Sequence, residues 1–367
     1  MTDPQLLDRR RFYIGGAWVE PDSPNDAPVL DPSTEEAAAV ISLGSEGDTD
    51  AAVGAARAAF PAWSETDPSV RVGLLERLLE VYEARSEEMA TAISLEMGAP
   101  IDLARNSQVT AGSWHLRNTI AALASFAFDR PLDEDSPGDR ILYEPVGVCA
   151  LITPWNWPMN QVTLKVGPAL GVGCAVVLKP SEIAPLSSAL FAELVHEAGF
   201  PPGVFNLVNG DGAGVGTWLS GHRDVDMVSF TGSTRAGTAV TTNSADSIKR
   251  VALELGGKGA NLVFADADDG AVERGVRHCF NNSGQSCNAP TRMLVERPAY
   301  DDAVATARRI AEETTVGAPD APGRHLGPVV SEAQFDKIQA LIDSGVREGA
   351  SLVAGGPGRP EDHEVGY

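Results

Sequence analysis

The sequence predicts an α/β fold, built as a doubly wound parallel sheet followed by a second α/β domain. Three observations carry that expectation. Between residues 147 and 257, short apolar runs alternate with helical patterns, in the order GVCALITP, CAVVLKP, GVFNLVNG, DMVSFTGS and RVALELGG. Each run is four to seven residues long and stops at Gly, Pro, Ser or Thr, which is how parallel strands buried on both faces read. A further set, ANLVFADAD, TRMLVERP, LGPVVS and SLVAGG, follows and predicts the strands of a second domain. Ligands of doubly wound sheets bind outside the carboxyl ends of the strands, so chemistry is sought where these runs stop.

The preceding part of the chain reads as helices. Ala51, Val53, Ala56 and Phe60 recur at helical spacing, and the stretch from Val70 to Met97 continues the pattern to Gly98. A second helical stretch runs from about Ile101 to Phe128. The polar stretch Asp129 to Asp139, leading into RILYEP, predicts an exposed loop or a projecting hairpin arm.

At 367 residues the chain is long enough for two domains, and 43% hydrophobic with 22% charged residues excludes disordered and fibrous classes. The start, MTDPQLLDRRRFYIGGAWVE, lacks the apolar core of a signal peptide. The longest apolar stretch, Val166 to Leu178, is broken by Pro168 and three glycines and is too short for a bilayer. A cytoplasmic protein is expected. A net charge of -23 argues against nucleic-acid or anionic-membrane partners, because phosphate contacts need a basic surface. The acids are dispersed, as in a solubilising surface. Cys149, Cys174, Cys279 and Cys287 suggest no disulfide framework, and they lack the paired CxxC spacing of a zinc site. No metal is expected.

Several strand ends carry candidate chemistry. The alternating glycines Gly210, Gly212, Gly214 and Gly216 of GDGAGVG fall at the wrong offsets for GxGxxG and read as a loop into a helix. FTGST is a better anion site: Gly232 permits close backbone approach, and Ser233 caps a following helix whose N-terminus favours negative charge. The same residues also serve as an ordinary strand-to-helix turn. In LKPSE, Lys179 and Glu182 offer a donor and an acceptor to ribose hydroxyls, and the carboxylate repels a 2'-phosphate. LELGGK places Glu254 at the end of an apolar run, where its charge is expected to be poorly solvated, although it also reads as a strand-end carboxylate facing water. FNNSGQSC then delivers Cys287, which also reads as a small, partly buried thiol.

Taken together, ITPWNWP, LKPSE, FTGST, LELGGK and FxxxGQxC stand in the order and approximate spacing of the aldehyde dehydrogenase superfamily, which this chain resembles over essentially its whole length. The resemblance implies a Rossmann-type NAD-binding domain from residues 1–128 and 147–255. It also implies a projecting oligomerisation arm at 129–146 and a catalytic domain at 256–367. Cys287 matches the nucleophile, whose thiolate adds to an aldehyde carbonyl. Asn156 matches the side chain that donates to the resulting oxyanion, a donor typically worth roughly 3 to 4 kcal/mol of barrier. Glu254 matches the general base that activates water for thioester hydrolysis, and Lys165 a lysine lining the same site. Lys165 also reads as an ordinary helix-surface lysine.

On the cofactor side the resemblance implies Thr153, Pro154 and Trp155, with Lys179 and Glu182 at the adenosine ribose and Gly232 and Ser233 at the pyrophosphate. Leu255 and Gly256 approach the nicotinamide, and Gln334 and Lys337 its ribose. Trp157, Asn160, Ser286 and Asn288 line the substrate tunnel. NAD is expected over NADP. Family members form homodimers or homotetramers and continue beyond HEVGY through an ExFGP segment, so a C-terminally truncated second domain is expected. Two other outcomes stay open: a catalytically impaired truncated fragment or non-catalytic NAD-binding paralogue, and a cysteine-dependent esterase or thioesterase.

Overall fold

The computed structural model describes residues 6–136 and 138–367. Five strands open the chain: β1 (Leu7–Asp8), β2 (Phe12–Ile14), β3 (Ala17–Val19), β4 (Asp26–Asp31) and β5 (Glu36–Ser42). Helices α1 (Glu46–Ser64), α2 (Pro68–Ala84) and α3 (Ser86–Met97) follow where the apolar periodicity placed helices. Each boundary has a local cause. The Ser45 hydroxyl and the Asp48 carboxylate form a capping box at the start of α1, Asp67 caps α2 ahead of Pro68, and Gly98 at φ 73° closes α3. The next stretch comprises α4 (Ile101–Leu103), a π-helical segment Ala104–Val109 and α5 (Thr110–Ser125). Strands β6 (Asp129–Pro131) and β7 (Arg140–Leu142) then pair antiparallel as an exposed hairpin, where the sequence allowed a loop or an arm.

The alternating region is β8 (Val148–Ile152), α6 (Pro158–Gly171), β9 (Ala175–Lys179), α7 (Leu186–Ala198), β10 (Phe205–Leu207), α8 (Val215–Gly221), β11 (Met227–Gly232), α9 (Thr234–Ser244) and β12 (Arg250–Leu255). Its strands form one sheet in the order β12-β11-β8-β9-β10-β2-β3, with β12 through β10 all parallel. From β8 the chain builds outward through β9 to β10, then returns to lay β11 and β12 on the other side. The winding therefore reverses between β8 and β11, and the crevice of a doubly wound sheet opens at that point.

Both faces are covered, as continuous apolar runs require. Cys149 and Leu151 of β8 and Val176 and Leu178 of β9 share a core with Leu78 and Tyr82 of α2, Val162 and Val166 of α6 and Phe191 of α7. The alternate residues Val148, Ala150, Ile152, Ala175 and Val177 pack with Ala52, Val53 and Ala56 of α1 and Leu219 of α8. Successive strand side chains point to opposite faces, so one run serves two cores.

The region after β12 departs from expectation. Strands β13 (Ala260–Val263) and β14 (Arg292–Val295) pair in parallel and are joined through α10 (Ala271–Phe280); α11 (Tyr300–Glu313) and α12 (Glu332–Arg347) follow. LGPVVS contributes only a single bridge, Leu326 opposite Val316, and SLVAGG forms no strand. A strand exists only where a neighbour completes its ladder, and these backbones bond elsewhere. The Val329 N–H donates to the Tyr367 carbonyl at 3.0 Å, the Val330 N–H to Gln285 Oε1 at 2.9 Å, and the Val353 carbonyl accepts Arg308 Nε at 3.0 Å. Among the described residues, no helix is long and apolar enough to cross a membrane, and no cluster of three or more His, Cys, Asp or Glu side chains could hold a metal ion.

One buried carboxylate ties this scaffold together. Glu96 of α3 is fully buried and accepts the first backbone N–H groups of α7, from Leu186 and from Ser187 at 3.2 Å. Desolvation pushes its pKa from an ordinary 4.5 up to about 7, with the hydrogen bonds from Ser187 and Leu186 opposing. A carboxyl raised in the folded state binds a proton more tightly there than in the unfolded chain. Stability is therefore fully present below pH 4.5 and is lost as pH rises toward about 7. The predicted loss over that window is roughly 3 kcal/mol. Glu96→Gln keeps one acceptor and removes the titration. Denaturant unfolding at about pH 5 and about pH 8 should show a flatter pH dependence in the variant. An identical dependence in both proteins would dismiss Glu96 as its source.

Candidate functional site

The residues singled out from sequence gather at one end of the sheet because every parallel strand points its carboxyl end there. Thr153, Pro154 and Trp155 leave β8, Lys179 ends β9, Gly232 ends β11, and Leu255 ends β12 with Gly256 next. The Thr153 N–H donates to the Lys179 carbonyl at 3.1 Å, so two of these ends are tied directly. Thr231 and Glu254 are Cα partners across β11 and β12, as are Gly232 and Leu255.

The nucleotide-side groups are local. Ser233 is the N-cap of α9, and its hydroxyl accepts from the Ala236 N–H at 3.2 Å, as the turn chemistry predicted. A Cβ on Gly232 would come within 2.5 Å of the Phe230 ring, so this corner favours a bare backbone. Lys179 is buried, with Nζ donating to the Pro180 carbonyl at 2.9 Å and paired with Glu182 Oε2 at 3.3 Å. Burial pulls its pKa down, while Glu182 and Asp211 oppose. The glycine-rich run after β10 is a loop into α8, stapled by Asp211 Oδ1 accepting from the Gly214 N–H at 2.6 Å.

The cysteine loop, between α10 and β14, seats on the turn between β8 and α6. Asn156 Nδ2 donates to the Gln285 carbonyl at 2.8 Å, and Trp157 Nε1 donates to Ser286 Oγ at 2.8 Å. The first of these bonds joins Asn156 to Gln285, two residues before Cys287 in the loop. Cys287 is exposed, as is Asn288, whereas Cys149 and Cys174 lie in the core and Cys279 is half-buried. Asn160, in the first turn of α6, bonds the His115 ring through Oδ1.

Lys165 settles one alternative. It is buried, not on the helix surface, and Nζ donates to Ser229 Oγ of β11 at 2.9 Å. Desolvation pulls its pKa from 10.5 down to about 8, and the negative charge of Glu254 opposes that fall.

Glu254 itself corrects the sequence reading. It was expected to be poorly solvated, yet it stands exposed. β12 is the last strand of the sheet, and Val251 and Leu255 pack toward Val240 of α9, whereas no described element covers the alternate face that carries Glu254. Gln334 and Lys337 lie on α12 and make no side-chain hydrogen bond to the other predicted residues among those described. A cavity of about 1000 Å³ lies between α3, α12 and the Tyr367 segment, lined by Leu95, Ile101, Pro328 and Phe335, and includes none of the predicted residues. The candidate site is at the strand ends, where most of the predicted residues lie.

Sequence reasoning missed three contributors to this geometry. Ser229 was read only as strand. Gln108 lies in the π-helical segment, where a helical pattern gives no sign of its contacts. Asn282 was visible as one of two adjacent asparagines before Ser-Gly, a turn signal whose contacts sequence does not reveal.

With that geometry in place, comparison with known proteins is consistent along the chain. The model of the Aldehyde dehydrogenase family matches residues 18–367. A 3-succinoylsemialdehyde-pyridine dehydrogenase from a Pseudomonas species is 50% identical over 364 residues, covering 99% of this chain and 76% of that protein. A crystal structure of aldehyde dehydrogenase from Bartonella henselae superposes with a TM-score of 0.97 at 60% identity, covering 99% of this chain and 76% of that one. Aldehyde dehydrogenase C of Pseudomonas syringae, solved as a cysteine-to-alanine mutant with NAD+ and octanal, gives a TM-score of 0.95 at 50% identity, covering 100% of this chain and 74% of that one.

Proposed function

Since the chain belongs to the aldehyde dehydrogenase family, a family of oxidoreductases, we propose that it oxidises an aldehyde to a carboxylic acid with NAD, through a covalent intermediate on Cys287. The observation that carries this reading is the seating of the Cys287 loop on the Asn156 turn, at the reversal of the sheet winding.

The strand ends fit a dinucleotide by their chemistry. The N-terminus of α9 with its bare Gly232 suits a pyrophosphate, and Lys179 with Glu182 suits a ribose diol. Thr153, Pro154, Trp155, Leu255 and Gly256 border the same crevice. Bound there, NAD supplies the acceptor for the hydride lost from the substrate carbon.

The residues divide the remaining work. The Cys287 thiolate adds to the aldehyde carbonyl, giving a thiohemiacetal whose oxygen carries the negative charge. Asn156 has one amide N–H on Gln285 and a second left for that oxygen. Loss of hydride from the thiohemiacetal carbon leaves a thioester on Cys287. Glu254 takes a proton from water, the water oxygen attacks the thioester carbonyl, and the thiolate leaves. The exposure of Glu254 keeps it in contact with solvent, the source of that water. Lys165, buried beside β11, supplies positive charge toward Glu254. Trp157, Asn160, Ser286 and Asn288 border the approach to the sulfur.

The test is NADH formation by the purified chain with 3-succinoylsemialdehyde-pyridine and with octanal, aldehydes taken from the names of two relatives. Turnover above the Cys287→Ala background is expected, with NAD preferred to NADP because the Glu182 carboxylate repels a 2'-phosphate. Equal kcat/KM with the two cofactors would discard the Glu182 argument. No turnover in folded protein that still binds NAD would favour the non-catalytic alternative.

A further inference from the structure

We propose that Gln108 and Asn282 are positioning residues, which clamp the Asn156 turn to the Cys287 loop and thereby set the rate of thiol addition. The inference rests on the functional reading above, in which Cys287 attacks and Asn156 stabilises the oxyanion.

The clamp closes on a single backbone oxygen. The carbonyl of Asn156 lies in the turn between β8 and α6, outside any sheet ladder. It accepts Nδ2 of Asn282 at 2.8 Å and Nε2 of Gln108 at 3.2 Å. Gln108 Nε2 also reaches Asn282 Oδ1 at 3.3 Å, so the two amides brace each other. The Asn156 side chain meanwhile donates to the Gln285 carbonyl at 2.8 Å. Gln285 Nε2 bonds back to the Asn282 carbonyl at 3.3 Å, and Gln285 Oε1 accepts from the Val330 N–H at 2.9 Å. The loop thus grips Asn156 by its carbonyl and by its amide. Holding both ends of the residue fixes the plane of the peptide and the direction of the remaining amide N–H.

Three features mark this contact as more than packing. Gln108 and Asn282 are 0% and 3% exposed, so water is not available to replace a broken bond. Asn282 and Ser283 hold φ of 56° and 55°, two consecutive left-handed residues without glycine. Such backbone persists only where the surroundings over-determine it. Gln108 sits on the π-helical segment Ala104–Val109, a rare widening frequently found at functional sites. Strain on one partner and irregular helix on the other meet at the residue assigned to the oxyanion.

Asn282→Gly separates the two possible roles, because glycine accepts the left-handed backbone while both side-chain bonds disappear. Gln108→Met removes the other half of the clamp and keeps the side-chain length. The measurements are thermal unfolding, NAD binding, the rate of Cys287 alkylation by iodoacetamide, and the pre-steady-state NADH burst with octanal. Each single variant is expected to retain NAD binding and to lose burst rate by roughly 10- to 100-fold, with kcat falling more than KM changes. The double variant should lose little more than the worse single one, because both side chains hold the same oxygen. A burst within about twofold of the parent in folded Asn282→Gly, or fully additive losses, would overturn the clamp. If Asn282→Gly fails to fold, Asn282→Asp, which keeps the acceptor and loses the donor, is read in the same way. Cys287→Ala run in parallel distinguishes the two levels: activity in that variant defeats the nucleophile reading. An inert Cys287→Ala beside a normal burst in Asn282→Gly defeats only the clamp.

Discussion

Cys287→Ala should lower NADH production by on the order of 10,000-fold or more while leaving NAD binding in place. The size of the effect follows from the absence of a substitute. The covalent route needs a thiolate that an aldehyde can reach. Cys149 and Cys174 are 3% and 2% exposed in the core beneath the sheet. Cys279 is half-buried on α10, and burial pushes its thiol pKa up, away from the reactive form. Among the four cysteines only Cys287 is exposed, and its loop is bonded to Asn156 and Trp157. Side-chain removal leaves those two bonds intact, because they run to the Gln285 carbonyl and the Ser286 hydroxyl. The decisive comparison is steady-state turnover against NAD affinity measured on the same preparation. Turnover near the parent rate would end the assignment; loss of both together would instead indicate a folding defect.

Glu254→Gln should produce a first burst of NADH and then stall, slowing steady-state turnover by roughly 100- to 10,000-fold. The amide keeps the shape of the carboxylate and loses its basicity. On the proposed route, addition, hydride loss and thioester formation need no group from Glu254, so the burst is expected to survive and deacylation to fail. A secondary effect has a definite sign. Glu254 now opposes the desolvation that pulls Lys165 down to about 8. Without that negative charge the Lys165 pKa should fall further, moving any lysine-dependent limb of the residual pH profile to lower pH. Rapid mixing with NADH detection separates the two phases. A steady state equal to the parent's would remove Glu254 as the base.

Both predictions concern residues legible as motifs, and the reason they were legible is geometric. In a parallel sheet every strand ends on the same side, so short motifs at the ends of successive apolar runs converge without long-range information. The runs ending at Ile152, Lys179, Gly232 and Leu255 were readable one by one, and the turn chemistry of Ser233 followed from local rules. The environment of each side chain was not readable in the same way. Lys165, left open between a site lysine and a surface lysine, is buried, and Glu254, expected to be poorly solvated, is exposed. Burial depends on which element covers a strand, and an apolar run reads alike in the middle of a sheet and at its edge.

By itself, the sequence determined the strand and helix alternation from β8 to β12, the helices from α1 to α5, and the position of the candidate motifs at the strand ends. Those features are encoded locally, in periodicity, caps and turn residues. Tertiary structure alone decided the rest. Strands β1 to β5 are as short as two residues, and β2 joins the main sheet through a partner nearly two hundred residues away, Tyr13 opposite Leu207. LGPVVS and SLVAGG carry strand-like composition without a ladder, because their backbone groups are bonded to other partners. The clamp of Gln108 and Asn282 on Asn156 unites three separate segments, and no periodicity reports a hydrogen bond across such separations. A strand or a buried amide is defined by its partner, and partners distant in sequence meet only once the chain has folded.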